Sequence, residues 1–267
     1  MIQFQNILDS LAIGWVFVTF LIIAVLVSEV GYRFGYWLQN RTRDEKEGPT
    51  SMIVGSLLAL MAFLLAISMG MAADRFNRRR SLVLEEANSI GTTYLRAGYL
   101  PEPASAEVRN LIRAYVPLRI VSDKLEGVNE SISQSSEIQD KLWSIAEELA
   151  RNNPESQVLA LFIESLNQTI DLHEMRIVAG IYSRVPQSIL LLLIAGSLLT
   201  LAAMGYNSGL MQKRSSTSAV LMILVLGAVI TLVVDLDRPQ DGLVNVDQRA
   251  LIDLQEQIGT PGLIKNP

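Results

Sequence analysis

Long uncharged runs alternate with amphipathic ones along the chain. The uncharged runs cover residues 11–28, 52–73, 185–212 and 215–234. At about 1.5 Å per helical residue, the second run alone reaches roughly 33 Å, enough to cross a hydrocarbon core of about 30 Å. The pattern predicts four membrane-spanning helices. Between the second and third, polar residues return and the apolar positions fall at helical spacing. Val83, Ala87, Ile90 and Tyr94 share one stripe, Val108, Leu111, Ile112 and Tyr115 a second, and Ile138, Leu142, Ile145 and Leu149 a third. A fourth stripe, Leu159, Phe162, Ile163, Leu166, Ile170 and Ile177, leads toward the third span. Pro101-Glu102-Pro103 and Asn152-Asn153-Pro154 are stops, Pro117 is a bend, and the Ser-, Asn-, Glu- and Gln-rich residues 127–137 read as a loop. After the fourth span, Leu251, Leu254 and Ile258 mark an amphipathic tail helix.

The expected fold is therefore all-α and integral to the membrane, with a helical region inserted between spans 2 and 3. Its parts are residues 1–38 (N-terminus and first span), 39–51 (short loop), 52–73 (second span), 74–184 (helical insertion), 185–212 (third span), 213–234 (fourth span) and 235–267 (tail). No basic region or small-residue cleavage site brackets the first apolar run, so it is expected to stay as a span rather than be cleaved. Half the residues are hydrophobic, yet 18% are charged, so a large part of the chain meets water. Arginine and lysine near span ends set orientation. Arg41, Arg43, Lys46, Lys213 and Arg214 lie on one side; Arg75, Arg78, Arg79, Arg80, Arg176, Arg184, Arg238 and Arg249 lie on the other. The excess places both termini and residues 74–184 in the cytosol of a multi-pass protein of the cell membrane.

Several function classes lose support. The chain has no cysteine and one histidine, with no Gly-rich phosphate loop or nucleophile elbow, so no nucleophile-base constellation of an enzyme assembles. His173-Glu174 lacks a second histidine for a zinc site, and a buried, hydrogen-bonded imidazole is preferred to a pH sensor. Residues 74–184 carry 13 basic and 16 acidic side chains, the wrong balance for nucleic acid. No cofactor is implied. Glu29 and Arg33, four apart near the end of the first span, can pair along the helix, or serve transport from membrane depth.

The motif Arg78-Arg79, Glu85-Glu86-Ala87-Asn88, Ile90-Gly91-Thr92, Tyr94-Leu95-Arg96 and Leu100-Pro101, followed by Tyr115 and Arg119, resembles the signature of the bestrophin-like membrane family. The resemblance extends over nearly the whole chain in span order and loop size. It implies a ring-shaped homo-oligomer, a pentamer by analogy with bestrophins, that conducts small ions, anions foremost, with the second span lining the pore. It also implies that Glu85, Glu86, Asn88, Gly91, Tyr94, Arg96, Pro101, Tyr115 and Arg119 are structural positions of the motif.

On the second span, Gly55, Ala59, Ala62, Ala66, Gly70 and Ala73 recur at steps of three and four. Such a stripe serves either close helix packing or a pore lining; bulky Phe63, Leu64 and Ile67 lie elsewhere on the helix and would instead form a dewetting constriction if that face points inward. Arg75, Arg78, Arg79 and Arg80 either anchor the helix in anionic headgroups or concentrate anions at an inner mouth. Arg96 lies about three turns from Glu85, too far to pair with it, and is expected to meet a carboxylate on another helix. Calcium-responsive bestrophins carry acids after their last span, and Asp235, Asp237 and Asp241 occupy that position. Leu236, Arg238 and Pro239 interrupt them, so a solvated turn is preferred to a cation site. The alternative to a channel is a non-conducting membrane scaffold or sensor whose cytosolic helices bind a partner.

Overall fold

The computed structural model describes residues 11–41, 47–120, 127–214, 216–238 and 242–259, and all regular structure among them is helical. The elements are α1 (Ile13–Arg41), α2 (Glu47–Ala97), α3 (Ala104–Arg119), α4 (Val128–Asn152), α5 (Gln157–Ile177), a π-helical turn (Val178–Tyr182), α6 (Gln187–Leu210), α7 (Ser216–Asp237) and α8 (Arg249–Ile258). Four stretches of helix are long and apolar enough to cross a membrane, within Ile13–Arg41, Pro49–Ala97, Gln157–Leu210 and Ser216–Asp237. The chain divides into two compact units, Met1–Arg75 with Arg184–Val244, and Phe76–Ser183 with Asn245–Pro267. No break separates the apolar part of α2 from its polar continuation: one helix of 51 residues carries both.

In the first unit, glycine sets the packing. Gly31 and Gly35 of α1 face Gly205 and Gly209 of α6 in a reciprocal pair of small-xxx-small motifs. A Cβ on Gly31 would overlap the Ala202 carbonyl, one on Gly35 the Tyr206 carbonyl, one on Gly205 the Ser28 carbonyl and one on Gly209 the Tyr32 carbonyl. Without side chains, the two backbones approach until dispersion and Cα–H···O contacts hold them, which is how helices associate where lipid removes the hydrophobic drive. On α7, Gly227 is closed in by Phe17, Phe20 and Leu21 of α1. Ser68 and Ser197 in this unit bond backward along their own helices, to the Leu64 carbonyl at 2.7 Å and the Leu193 carbonyl at 2.7 Å, which keeps both donors paired in an apolar medium.

In the second unit, side chains do the packing. Val83, Ala87 and Ile90 of α2 meet Val108, Ile112 and Tyr115 of α3, Leu142 and Ala146 of α4, Phe162 and Leu166 of α5, and Leu251 and Leu254 of α8 in one core. The apolar stripes read from the sequence supply these residues. Residues 127–137, expected as a loop, are helical from Val128 onward. The polar side chains there bond within the helix, Gln134 to Glu130 at 3.2 Å, Ser135 to the Ser131 carbonyl at 2.6 Å and Ser136 to the Ile132 carbonyl at 3.1 Å. A surface helix whose first buried positions are Ser135 and Gln139 needs few apolar residues there, which is why the composition misled.

A second expectation fails at the end of α7. Asp235, Asp237 and Arg238 are buried, not a solvated turn. The Asp235 carboxylate accepts the backbone N–H groups of Leu243 at 2.9 Å and Val244 at 3.2 Å, and Asp237 accepts that of Val185 at 2.7 Å, just before α6. Arg238 donates to the Leu11 carbonyl at 2.8 Å, ahead of α1. These charges are spent on backbone groups at the ends of other segments of the same unit, a use that linear spacing does not disclose. Asp241 lies outside the described residues.

Candidate functional site

The second span contributes to its unit through Val54, Met61, Ser68 and Ala72, all buried, with Met61 against Gly196 of α6. The candidate pore residues Gly55, Ala59, Ala62, Phe63, Ala66, Ile67 and Gly70 lie on other faces of the helix and are exposed in the single chain. A Cβ added to Gly55 or Gly70 would meet nothing within 4 Å. The small-residue stripe is therefore not used for packing inside the chain, among the described residues, and it stands free for whatever lies outside it.

Past the apolar run, the basic cluster divides. Arg79 is buried, Arg80 is exposed, and Arg78 is exposed and 3.7 Å from Glu85. One turn of helix thus presents arginines in different directions, so the four do not form one patch.

Further along α2, the motif residues converge on a buried ion-pair network. Glu86 has no exposed side-chain surface; it accepts the Arg119 Nε at 2.7 Å on one oxygen and the Arg176 Nη1 at 2.5 Å on the other. Arg176 also donates to the Gln248 Oε1 at 2.8 Å, ahead of α8. Beside them the Tyr115 hydroxyl lies 3.3 Å from the His173 Nδ1 and accepts the Gln139 Nε2 at 2.9 Å. α2, α3, α4 and α5 each send a side chain into this network or its flank, and Gln248 joins it from just ahead of α8. The carboxylate bridges two guanidiniums, so each charge has a partner that offsets much of the desolvation a lone buried ion would suffer.

Burial and the neighbouring Arg119 push the His173 imidazole down to about 4, with Glu86 opposing, so His173 is neutral at physiological pH. Burial pushes the Tyr115 hydroxyl up, out of the physiological range. Its Nδ1 satisfied by Tyr115, His173 is fully buried while its Nε2 has no hydrogen-bond partner among the described residues.

The remaining motif positions are structural in separate ways. Tyr94 lies between the guanidiniums of Arg109 and Arg113, at 5.2 and 5.3 Å from its ring centre, and its hydroxyl accepts from Arg113. Gly91 leaves room for α8: a Cβ there would come within 3.3 Å of Leu254. Arg96 pairs with Glu164 on α5 at 3.7 Å and donates to the Leu161 carbonyl, a carboxylate on another helix as its spacing from Glu85 required. Asn88 is exposed, its carbonyl accepting from Thr92, and Pro101 is exposed past the end of α2. Sequence reasoning did not find Arg176, Gln139 or Gln248. The available signal was the position of Arg176 one turn past His173, beside the apolar stripe of α5. No group of three His, Cys, Asp or Glu able to hold a metal ion occurs among the described residues.

The Bestrophin-like domain profile matches residues 19–251. Solved structures with a similar fold include a bacterial bestrophin homolog from Klebsiella pneumoniae, 16% identical, with a TM-score of 0.63 over 90% of this chain and 98% of that one. A mutant of that homolog gives a TM-score of 0.67 at 15% identity, over 90% and 97% of the two chains. Another gives 0.65 at 15% identity over 93% and 98%. No curated protein matches the sequence. With a family profile spanning most of its length and the motif residues gathered around Glu86, this chain belongs to the bestrophin-like membrane proteins.

Proposed function

We propose that the protein is a homo-oligomeric channel that passes small ions, anions foremost, through a pore lined by α2 and closed around an axis of several subunits. The observation that carries this reading is the exposed stripe Gly55, Ala59, Ala62, Ala66 and Gly70, free of intrachain packing on a helix otherwise fixed by Val54, Met61 and Ser68. Family membership supports it, because the known members are anion channels. Small residues along the stripe leave width for an ion, and Phe63 and Ile67 beside it supply a constriction that gates by dewetting. Arg75, Arg78 and Arg80, repeated by each subunit at the cytosolic end of a bacterial inner-membrane protein, raise local anion concentration by focused potential. The Asp235 and Asp237 carboxylates hold backbone N–H groups, so this reading gives them no part in calcium binding.

The test is ion flux from liposomes holding the purified protein, with chloride and sodium gradients run separately and Ala66→Trp as the blocked variant. Chloride flux exceeding sodium flux, and falling at least tenfold in Ala66→Trp, is expected. Absence of flux from folded, oligomeric protein across a range of calcium and pH would turn the reading to a membrane scaffold whose α2 stripe packs against another copy.

A further inference from the structure

At the other end of the span unit, a charged cluster is left unused by the channel reading. Glu29 lies sixteen residues into α1, about 24 Å along the helix and so near the far edge of a hydrocarbon core of about 30 Å. Its carboxylate accepts the Arg33 Nε at 2.9 Å and the Arg214 Nη2 at 2.8 Å. Each guanidinium gives one N–H to Glu29, while the two arginine side chains are 77% and 62% exposed. Two cations thus share one anion, with forked donors to spare. The Arg214 guanidinium stacks 5.4 Å from the Tyr32 ring, which fixes the direction of its fork.

Glu29, Tyr32 and Arg214 line a cleft of about 120 Å3 between α1, α6 and α7, and Arg33, outside the lining itself, is tied to it through the Glu29 carboxylate. The walls of the cleft change character along its length: from the charged end they continue into Val25, Val220 and Ile223. Depth is marked independently by Phe34, Tyr36 and Trp37, exposed aromatic side chains on the next turns of α1, where such residues sit at the headgroup level.

A net positive, doubly forked head beside a cleft that presents Val25, Val220 and Ile223 one or more helical turns deeper matches one kind of molecule. We propose that this cleft binds a phospholipid, its phosphodiester held by Arg33 and Arg214 and an acyl chain laid along Val25 and Val220, with preference for an anionic headgroup. Guanidinium forks match phosphate oxygens in pairs, and the cleft sits at the depth of the lipid phosphate. Glu29 has two effects here: it orients both arginines, and its charge competes with the phosphate for them.

The experiment is native mass spectrometry of the full chain released from nanodiscs of equal phosphatidylglycerol and phosphatidylcholine, counting retained lipids. The wild type is expected to retain phosphatidylglycerol about fivefold over phosphatidylcholine, as one excess positive charge at the surface supports. Arg33→Gln with Arg214→Gln should abolish the preference. Ala219→Phe, which fills the cleft and leaves the charges alone, should lower retention of both lipids. Glu29→Gln frees the guanidiniums and should raise phosphatidylglycerol retention above the wild type. Elution of each variant as the wild-type oligomer establishes that it is folded. Equal retention in the wild type and the double arginine variant would overturn the proposal, as would a loss of lipid in Glu29→Gln. Displacement of the lipid by millimolar inorganic phosphate would also overturn it, assigning the cleft to a free anion.

Discussion

The two units solve the same problem, holding helices together, with opposite materials. In the span unit, α1 and α6 meet backbone to backbone through Gly31, Gly35, Gly205 and Gly209, and the buried Ser68 and Ser197 hydroxyls bond to carbonyls of their own helices. In the other unit, helices are held apart by Tyr115, Phe162 and Leu166, and a buried carboxylate binds two arginines from different helices. The difference follows from the solvent each reading assigns. Where the surroundings are as apolar as leucine, burying leucine gains nothing, and only close contact and hydrogen bonding remain. Where the surroundings are water, large apolar side chains drive association, and the core they form is firm enough to enclose a fully paired ion network.

The sharpest way to break the comparison is to put a side chain into the glycine seam. Gly205→Val drives a Cβ into the Ser28 carbonyl, and thermal denaturation of the detergent-solubilised protein should show a loss on the order of 4 kcal/mol or outright failure to fold. Gly55→Val, with open space around it, should leave stability within about 0.5 kcal/mol. If the two variants behave alike, the seam is not what holds α1 to α6.

The matching experiment in the second unit is Glu86→Gln, which leaves Arg119 and Arg176 buried without their counter-charge. A loss of about 3–5 kcal/mol is expected, read by the same denaturation. The comparison is sharpened by replacing all three charges, Glu86→Leu with Arg119→Met and Arg176→Met. Apolar side chains of similar volume in this packed core should recover most of that loss. Failure to recover would mean that the network specifies the fold beyond balancing its own charges.

Acid provides a smaller effect. His173 is neutral in the folded protein, with its imidazole held near 4, and reverts to about 6.5 when the chain unfolds. Between those values the unfolded chain binds a proton that the folded one refuses, so stability falls as pH drops from about 6.5 toward 4. The total from this residue is about 3 kcal/mol at most. His173→Gln should flatten the slope of stability against pH in that window, and an unchanged slope would show that other groups set it. The smallest effect is expected at the surface: Glu164→Ala removes the partner of Arg96, and because the Glu164 side chain is 73% exposed the loss should stay below about 1 kcal/mol.

Much of the second unit was legible beforehand because its apolar stripes obey the helical period, and a stripe of Leu159, Phe162 and Leu166 has one place to go. The motif Glu85 to Pro101 pointed at the right turns of α2, but not at how they are used. Glu85 and Glu86 are adjacent and chemically identical, yet one lies at the surface near Arg78 and the other is fully enclosed. Position on the helix separates them by about 100°, and only the packing of α3 and α5 decides which direction is inward.

By itself the sequence determined the number of helices able to span a membrane, the helical nature of the rest and the family, because these depend on local length, periodicity and motif. The tertiary structure alone decided that Arg176 joins Arg119 on Glu86, that Asp235 and Asp237 hold backbone N–H groups instead of facing water, and that Gly31 and Gly35 of α1 interlock with Gly205 and Gly209 of α6 while Gly55 and Gly70 of α2 stand clear. Each of these joins residues far apart along the chain. Long-range pairing depends on which faces the helices turn toward each other, and small residues and charges read the same in sequence whether they are inside a contact or beside it.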